Sequence, residues 1–188
     1  MRAVAALIWE SAPDLFALLF GSRAQEILTD LVQRDGSRFG YPYIHVAICD
    51  RRVVGIVTLV PGEKVITNPD YQVCLNCWQC FRLEAAHRIF LDHVLRRDYP
   101  SDSAYIGNLA VASDYRRRGI GRQLLLQALT VAKSSVNAVF VSADLHNEKA
   151  QNLYKSMGFK EVETRELRAC GVAIGSRIFA QSIARLPI

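Results

Sequence analysis

The sequence predicts an α/β fold around a mixed, mostly antiparallel sheet flanked by helices, and three observations carry the prediction. β-rich runs alternate with runs whose apolar residues recur at helical spacing, residues 104–143 read as strand, helix, strand, and two pairs of β-rich runs lie close enough to form hairpins. The 188 residues suit a single domain, 1–188, able to bury about two thirds of its unfolded surface. Hydrophobic residues at 51% and charged residues at 22% exclude a disordered or fibrous chain.

Residues 3–9 form a short apolar run read as a first strand. Ser11, followed by Pro13 and the Leu15, Leu18, Leu19 pattern, reads as the N-cap of a helix. Ser22 with Gln25 three residues on forms a capping box for a second helix, in which Ile27, Leu28, Leu31 and Val32 share one face, and which should stop near Gly36. Runs 43–49 and 53–60, separated by Asp50, Arg51 and Arg52, fit an antiparallel hairpin in which Gly55 marks a close backbone approach. Pro61, Gly62, Asn68 and Pro69 then break regular structure, and a helical pattern resumes over 78–97 through Leu83, Ala86, Phe90, Leu91 and Val94. Residues 61–103 therefore read as a helical insertion between the third and fourth strands.

The fourth strand is 104–111, the helix 119–133 carries Leu124, Leu125, Ala128, Leu129 and Ala132 on one face, and the fifth strand is 138–143. A helix over 147–157 is closed by Gly158, and runs 159–167 and 172–183 form a last hairpin.

The net charge is +5, but the basic residues are spread along the chain except for Arg116, Arg117 and Arg118, a run that suits a small anionic ligand better than a nucleic acid. Glu10, Pro13 and Asp14 interrupt the apolar N-terminus, and no stretch reaches the roughly 20 uncharged apolar residues of a membrane span, so a cytoplasmic protein without a membrane partner is expected. The five cysteines, an odd set, read as reduced thiols. Cys74, Cys77 and Cys80 have a spacing that can serve zinc or an iron-sulfur cluster, with His87 or His93 as fourth ligand. Structural zinc sites usually combine two separated pairs, whereas Cys49 and Cys170 lie far off in sequence, so the preferred reading is three small apolar residues sharing a helix face near Phe81 and Leu83, with no metal. His45 reads as a strand residue and His146 as a turn residue.

The chemistry concentrates where the fourth strand ends and a helix begins, in Asn108-Leu109-Ala110-Val111 followed by Asp114-Tyr115-Arg116-Arg117-Arg118-Gly119-Ile120-Gly121-Arg122. A helix N-terminus offers unpaired N–H groups and the positive end of the dipole, glycines admit a pyrophosphate to the backbone, and arginines add charge-assisted bonds. The spacing is neither that of a P-loop nor that of a Gly-x-Gly-x-x-Gly dinucleotide turn. It resembles the acyl-CoA loop of the GNAT N-acyltransferases, Arg/Gln-x-x-Gly-x-Gly/Ala, through Arg116, Gly119 and Gly121. Asn147, Ala150, Tyr154, Gly158 and Phe159 are similar to that family's second signature, in the right order downstream. The flanking elements agree with the GNAT fold, and residues 61–103 depart from it, because typical members have a much shorter connection there.

The resemblance implies acetyl-CoA as cosubstrate, entering where the fourth and fifth strands splay apart. It implies main-chain contacts from Leu109 and Val111, with Ala110 between them, to the pantetheine arm, and backbone N–H groups of Arg116, Arg117, Arg118, Gly119, Ile120, Gly121 and Arg122 on the pyrophosphate. It also implies a bond from Asn147 to the cofactor arm and a Tyr154 hydroxyl directed at the sulfur, with Ala150 and Phe159 structural. Direct aminolysis of a thioester needs a neutral amine, stabilisation of the oxyanion and a donor to the leaving thiolate. A phenol of pKa near 10 suits the last task. The fourth strand carries no carboxylate base; Tyr105 and Asn108 stand there, leaving water held by Asn108, or Glu84 of the insertion, to take the amine proton. Cys170 as an acyl-carrying nucleophile has no identifiable supporting base. The leading function is N-acetylation of a small-molecule or peptide amine in a ternary complex. The missing carboxylate keeps in view a catalytically weak acyl-CoA binding module or a protein-docking scaffold. The acceptor is not named by the sequence, since its contacts fall to residues 15–36 and the insertion, and a homodimer is left open.

Overall fold

The apolar run at the N-terminus folds as a helix, not as the strand expected. In the computed structural model, which describes residues 1–64, 70–86, 96, 98–169 and 172–183, α1 spans Arg2–Ser11 and α2 spans Pro13–Phe20. Ala3, Ala5 and Ala6 lose no side-chain entropy in a helix. Val4, Ala5, Leu7 and Ile8 form a single buried stripe at helical spacing, which a strand would have split between two faces. Ser11 is the last residue of α1, its hydroxyl donating to the Ile8 carbonyl at 2.6 Å, so Ala12 precedes Pro13 as the cap of α2. Gly21, at φ +68°, ends α2 and opens a 3-10 turn over Gly21–Arg23 that absorbs Ser22. Helix α3 therefore runs over Ala24–Val32 without the expected capping box and stops short of Gly36, while Ile27, Leu28, Leu31 and Val32 are all buried as expected.

Six strands follow in spatial order β1-β2-β3-β4-β6-β5: β1 (Ile44–Cys49), β2 (Arg52–Pro61), β3 (Ser103–Val111), β4 (Ala138–Asp144), β5 (Lys160–Ala169) and β6 (Val172–Ser182). Among the described strands only β3 and β4 run parallel. The β1–β2 hairpin turns through Asp50 and Arg51, both at positive φ (49° and 61°), as a two-residue primed turn demands. Because residues 3–9 are helical, the strand expected over 104–111 is the third of the sheet, and residues 62–102 separate β2 from β3, since Pro61 and Ser103 belong to the strands themselves.

Two helices are described inside that segment, α4 (Tyr71–Cys74) and α5 (Cys77–Ala86). Asn76 and Gln79 cap α5 reciprocally: the Gln79 N–H donates to Asn76 Oδ1 at 2.8 Å and the Asn76 N–H to Gln79 Oε1 at 3.0 Å. This break places Cys74 and Cys77 on different helices. The cysteines consequently do not share one face; Cys74 and Cys80 are half-buried against the N-terminal core while Cys77, like Phe81 beside it, is exposed. Among the described residues no three His, Cys, Asp or Glu side chains are placed to hold a metal; His87, His93 and Cys170 lie outside the described residues, as does most of the helical pattern beyond Ala86. Helix α5 leans on α2, with Gln79 Nε2 donating to Phe20 O at 3.4 Å and Arg82 to Ala17 O at 3.3 Å.

Helix α6 (Ile120–Ala132) and helix α7 (Glu148–Ser156) cover one face of the sheet, where Leu124, Leu125, Ala128 and Tyr154 pack on Val57, Ile106, Val139, Val141 and Phe179. Strand alternation sends Ile56 and Ala110 to the other face, under α1 to α3, and Tyr105, Phe140 and Ile178 to a smaller cluster with Tyr99 on that side. Among the described residues no single helix is long and apolar enough to cross a membrane.

Candidate active site

The two parallel strands part company halfway along. They pair from Ser103↔Ala138 to Ile106↔Val141 and no further, whereas β3 continues beside β2 to Val111 and β4 beside β6 to Asp144. The sheet thus opens between residues 107–111 and 142–144. A bulge marks the start of the opening: Leu59 pairs with Ile106 and Val57 with Leu109, so Gly107 and Asn108 both stand opposite Thr58. The Asn108 N–H donates to Thr58 Oγ1 at 2.8 Å, and a Cβ on residue 107 would lie 2.8 Å from the same oxygen, which is why glycine occupies it. Across the base of the opening, the Tyr105 hydroxyl and Ser142 Oγ are 2.6 Å apart.

The Ala112 N–H donates to Val54 O at 2.9 Å and Asn108 N–H also points to β2, so alternation turns the main-chain groups of Leu109 and Val111 toward the side that β4 has left. Arg116 closes part of that edge. Its Nε donates to Val111 O at 2.8 Å and its Nη2 lies 3.6 Å from Glu10 Oε2, while the Arg118 guanidinium sits over the Tyr115 ring. Arg116 and Arg118 are thus engaged within the protein, and the backbone beside them is open to a ligand.

That backbone is bare over residues 117–122. The first N–H at the start of α6 with a partner is that of Gln123, bonded to Gly119 O at 3.1 Å; those of Arg117, Arg118, Gly119, Ile120, Gly121 and Arg122 donate to no acceptor among the described residues. Arg117 (φ 64°) and Gly119 (φ 79°) are both left-handed, which turns successive N–H groups toward one concavity, and among the described residues no side chain caps the helix. Such a row at the positive end of a 13-residue helix suits a phosphate.

Asn147 caps α7, its Oδ1 accepting from the Ala150 N–H at 3.1 Å, so only its amide hydrogens are available to a ligand. Gln151 ties α7 to the end of β4 by donating to both Asp144 O and Leu145 O at 3.0 Å. Tyr154 is 5% exposed, with its ring against Phe159 and Phe179. Its hydroxyl has no hydrogen-bond partner among the described residues, and burial first, then the neighbouring Tyr105, push its pKa above the usual tyrosine value. Ala150 and Phe159 pack into the core as expected.

On the opposite face Asn108 is 7% exposed and its Nδ2 donates to Ser11 Oγ at 2.7 Å. The end of α1, with Glu10 and Ser11, therefore sits on the open half of β3. Sequence reading missed both residues, because the Ser11–Asn108 contact joins positions 97 apart and Ser11 carries the signature of a cap. Glu84 belongs to α5, which packs on α2, whereas Tyr105 and Asn108 stand on β3 itself. His146 is the turn residue expected, its N–H donating to Asp144 Oδ1 at 2.8 Å. A groove of about 310 Å³ lies between α1 and the α2–α3 turn, lined by Trp9, Ala17, Gly21, Ser22, Ala24 and Gln25, apart from the opening.

A sheet split between parallel strands, with a bare helix N-terminus at one lip and a buried phenol on the same face, is a shape able to receive an extended ligand that ends in phosphates. The family model of the Acetyltransferase (GNAT) family matches residues 5–159. An N-alpha-acetyltransferase of Sulfurisphaera tokodaii is 41% identical over 61 residues, covering 31% of this chain and 36% of that protein. The chain spans less than half the length of the curated relatives it matches. Among solved structures, an N-acetyltransferase from Staphylococcus aureus Mu50 has the same fold with a TM-score of 0.73 at 19% identity, over 96% of this chain and 94% of that one. A GNAT family acetyltransferase from Elizabethkingia anophelis with acetyl-CoA bound gives 0.56 at 14% identity, over 95% and 89%. The chain belongs to the GNAT family.

Proposed function

We propose that this protein transfers an acetyl group from acetyl-CoA to a primary amine of a small molecule or peptide by direct attack within a ternary complex. The observation that carries the reading is the unpartnered N–H row of residues 117–122 beside the opening between β3 and β4. In this reading the row holds the pyrophosphate, the free main-chain edge at Leu109 and Val111, spaced by Ala110, pairs with the pantetheine arm as an added strand would, and Asn147 donates to that arm. The likeness to an N-alpha-acetyltransferase supports a peptide α-amine among the acceptors. This reading sets the protein in the cytoplasm, where the free thiols Cys49, Cys74, Cys77 and Cys80 would stay reduced.

Chemically, the amine lone pair forms the C–N bond at the thioester carbonyl, the C–S bond breaks, and the proton shed by the amine balances the thiolate. Tyr154 holds its proton more tightly than a free tyrosine, and the parent thiol has a pKa near 8.5, so full transfer from phenol to sulfur is uphill. Tyr154 then acts as a hydrogen-bond donor to the departing sulfur, and the amine proton reaches the sulfur through water. Following CoA release from acetyl-CoA with a panel of terminal peptide amines, polyamines and arylalkylamines tests this. Turnover with at least one class is expected; CoA binding without release from any would leave a binding module.

A further inference from the structure

The Asn108 amide is held by one end only. Its Oδ1 is buried without a partner, in company with only Asp70 Oδ2, Arg177 Nε and Gln181 Oε1 among the described side-chain atoms. The orientation of the amide follows from the bonds around it. Ser11 Oγ donates its single hydrogen to Ile8 O at 2.6 Å, so toward Asn108 it can only accept, and the amide must present Nδ2 to it. Ile8 O is one of the carbonyls that the end of α1 leaves without a helical partner, since the Ala12 N–H bonds to Trp9 O instead. Turning the hydroxyl round to suit a flipped amide would strand that carbonyl. Oδ1 is thereby fixed pointing away from Ser11, in the bulge just past the last β3–β4 pair. It lies on the α1 face, opposite the face from which α6 and α7 present the phosphate loop and Tyr154.

Resting on the acetyl-transfer reading above, we propose that Ser11 is a positioning residue: it locks the Asn108 amide so that Oδ1 accepts an N–H of the acceptor amine and turns the nitrogen lone pair toward the thioester. An atom that only accepts favours a primary or secondary amine, which has a hydrogen to give, over a tertiary amine or a hydroxyl-free ether.

Ser11→Ala frees the amide to flip, whereas Ser11→Thr keeps a hydroxyl that can bond Ile8 O. With the full chain, Ser11→Ala should lower kcat/KM for the amine about 10-fold or more, leave KM for acetyl-CoA within about twofold, and be restored to within about threefold by Ser11→Thr. An unchanged kcat/KM for the amine, a parallel loss in acetyl-CoA affinity, or a threonine variant as impaired as the alanine one would overturn the proposal. If the wild-type chain releases no CoA with any amine, the transfer reading fails by that result, and the positioning role is read from calorimetric titration of the same amines onto the CoA-bound protein. Weaker amine binding in Ser11→Ala than in wild type supports it there, and equal or absent binding overturns it.

Discussion

At the scale of single residues, the side chain with the most demanding placement is Tyr154. Its ring is wedged against Phe159 and Phe179, so the residue would be needed for packing even without its hydroxyl. The hydroxyl has a different signature, because a buried phenol without a partner keeps its proton at pH values where a free tyrosine ionises. Tyr154→Phe retains the ring and should fold normally. We expect kcat to fall roughly 10 to 1,000-fold while KM for acetyl-CoA changes little, the pattern for an interaction that strengthens as the sulfur becomes charged. The raised pKa also fixes the sign of the pH dependence: wild-type kcat/KM should rise as the acceptor amine deprotonates and show no fall from phenol ionisation up to about pH 10. An unchanged kcat in the variant would make Tyr154 a packing residue, and collapsed acetyl-CoA binding would make it a cofactor-placing one.

Elements show where the sequence is readable and where it is not. The stretch from β3 to β5 is legible because each signal is local: Leu124, Leu125, Ala128 and Leu129 at helical spacing on α6, a cap at Asn147, a left-handed glycine at Gly158. The first ten residues mislead because Ala3 to Trp9 are apolar almost throughout, so no polar face announces the period, and only burial shows that it is helical. The reciprocal Asn76–Gln79 cap starts a new helix inside the stretch that carries the cysteines, and it is the reason the three thiols lie in different environments. Burial raises the Cys74 thiol pKa, and Cys77 stands exposed at the start of α5. Limited alkylation of the native protein followed by peptide mass mapping should therefore modify Cys77 before Cys74 and Cys80; equal rates would mean that α4 and α5 do not stand as described. The bulge in β3 is a second element-scale device that sequence alone does not reveal, since Gly107 looks like any strand glycine until Thr58 is placed against it. A methyl there meets Thr58 Oγ1 at 2.8 Å, so Gly107→Ala should cost about 1–3 kcal/mol in chemical denaturation and impair turnover by shifting Asn108.

The whole molecule divides its labour between the two faces of one sheet. Helices α6 and α7 bring the loop 116–122, Asn147 and Tyr154 to one side of the opening, and α1 brings Ser11 to the other, where Asn108 bonds it. The motif-bearing side is written in consecutive residues and could be read directly. The other side is assembled from contacts between distant parts of the chain, and no spacing rule predicts a serine at position 11 meeting an asparagine at position 108. Both sides depend on the bare backbone of residues 117–122 binding the pyrophosphate of acetyl-CoA, and calorimetric titration of CoA into wild type and Gly121→Glu probes that binding. A Cβ at residue 121 makes only ordinary contacts, 3.8 Å from Leu153 Cδ2 and Val111 Cγ2, so the variant should fold, while its carboxylate would reach into the concavity meant for phosphate. Saturable binding to the wild-type chain, with a rise in melting temperature, is expected, together with loss of both in a Gly121→Glu protein whose unliganded melting temperature is unchanged. Equal CoA affinity in the two folded proteins would contradict it.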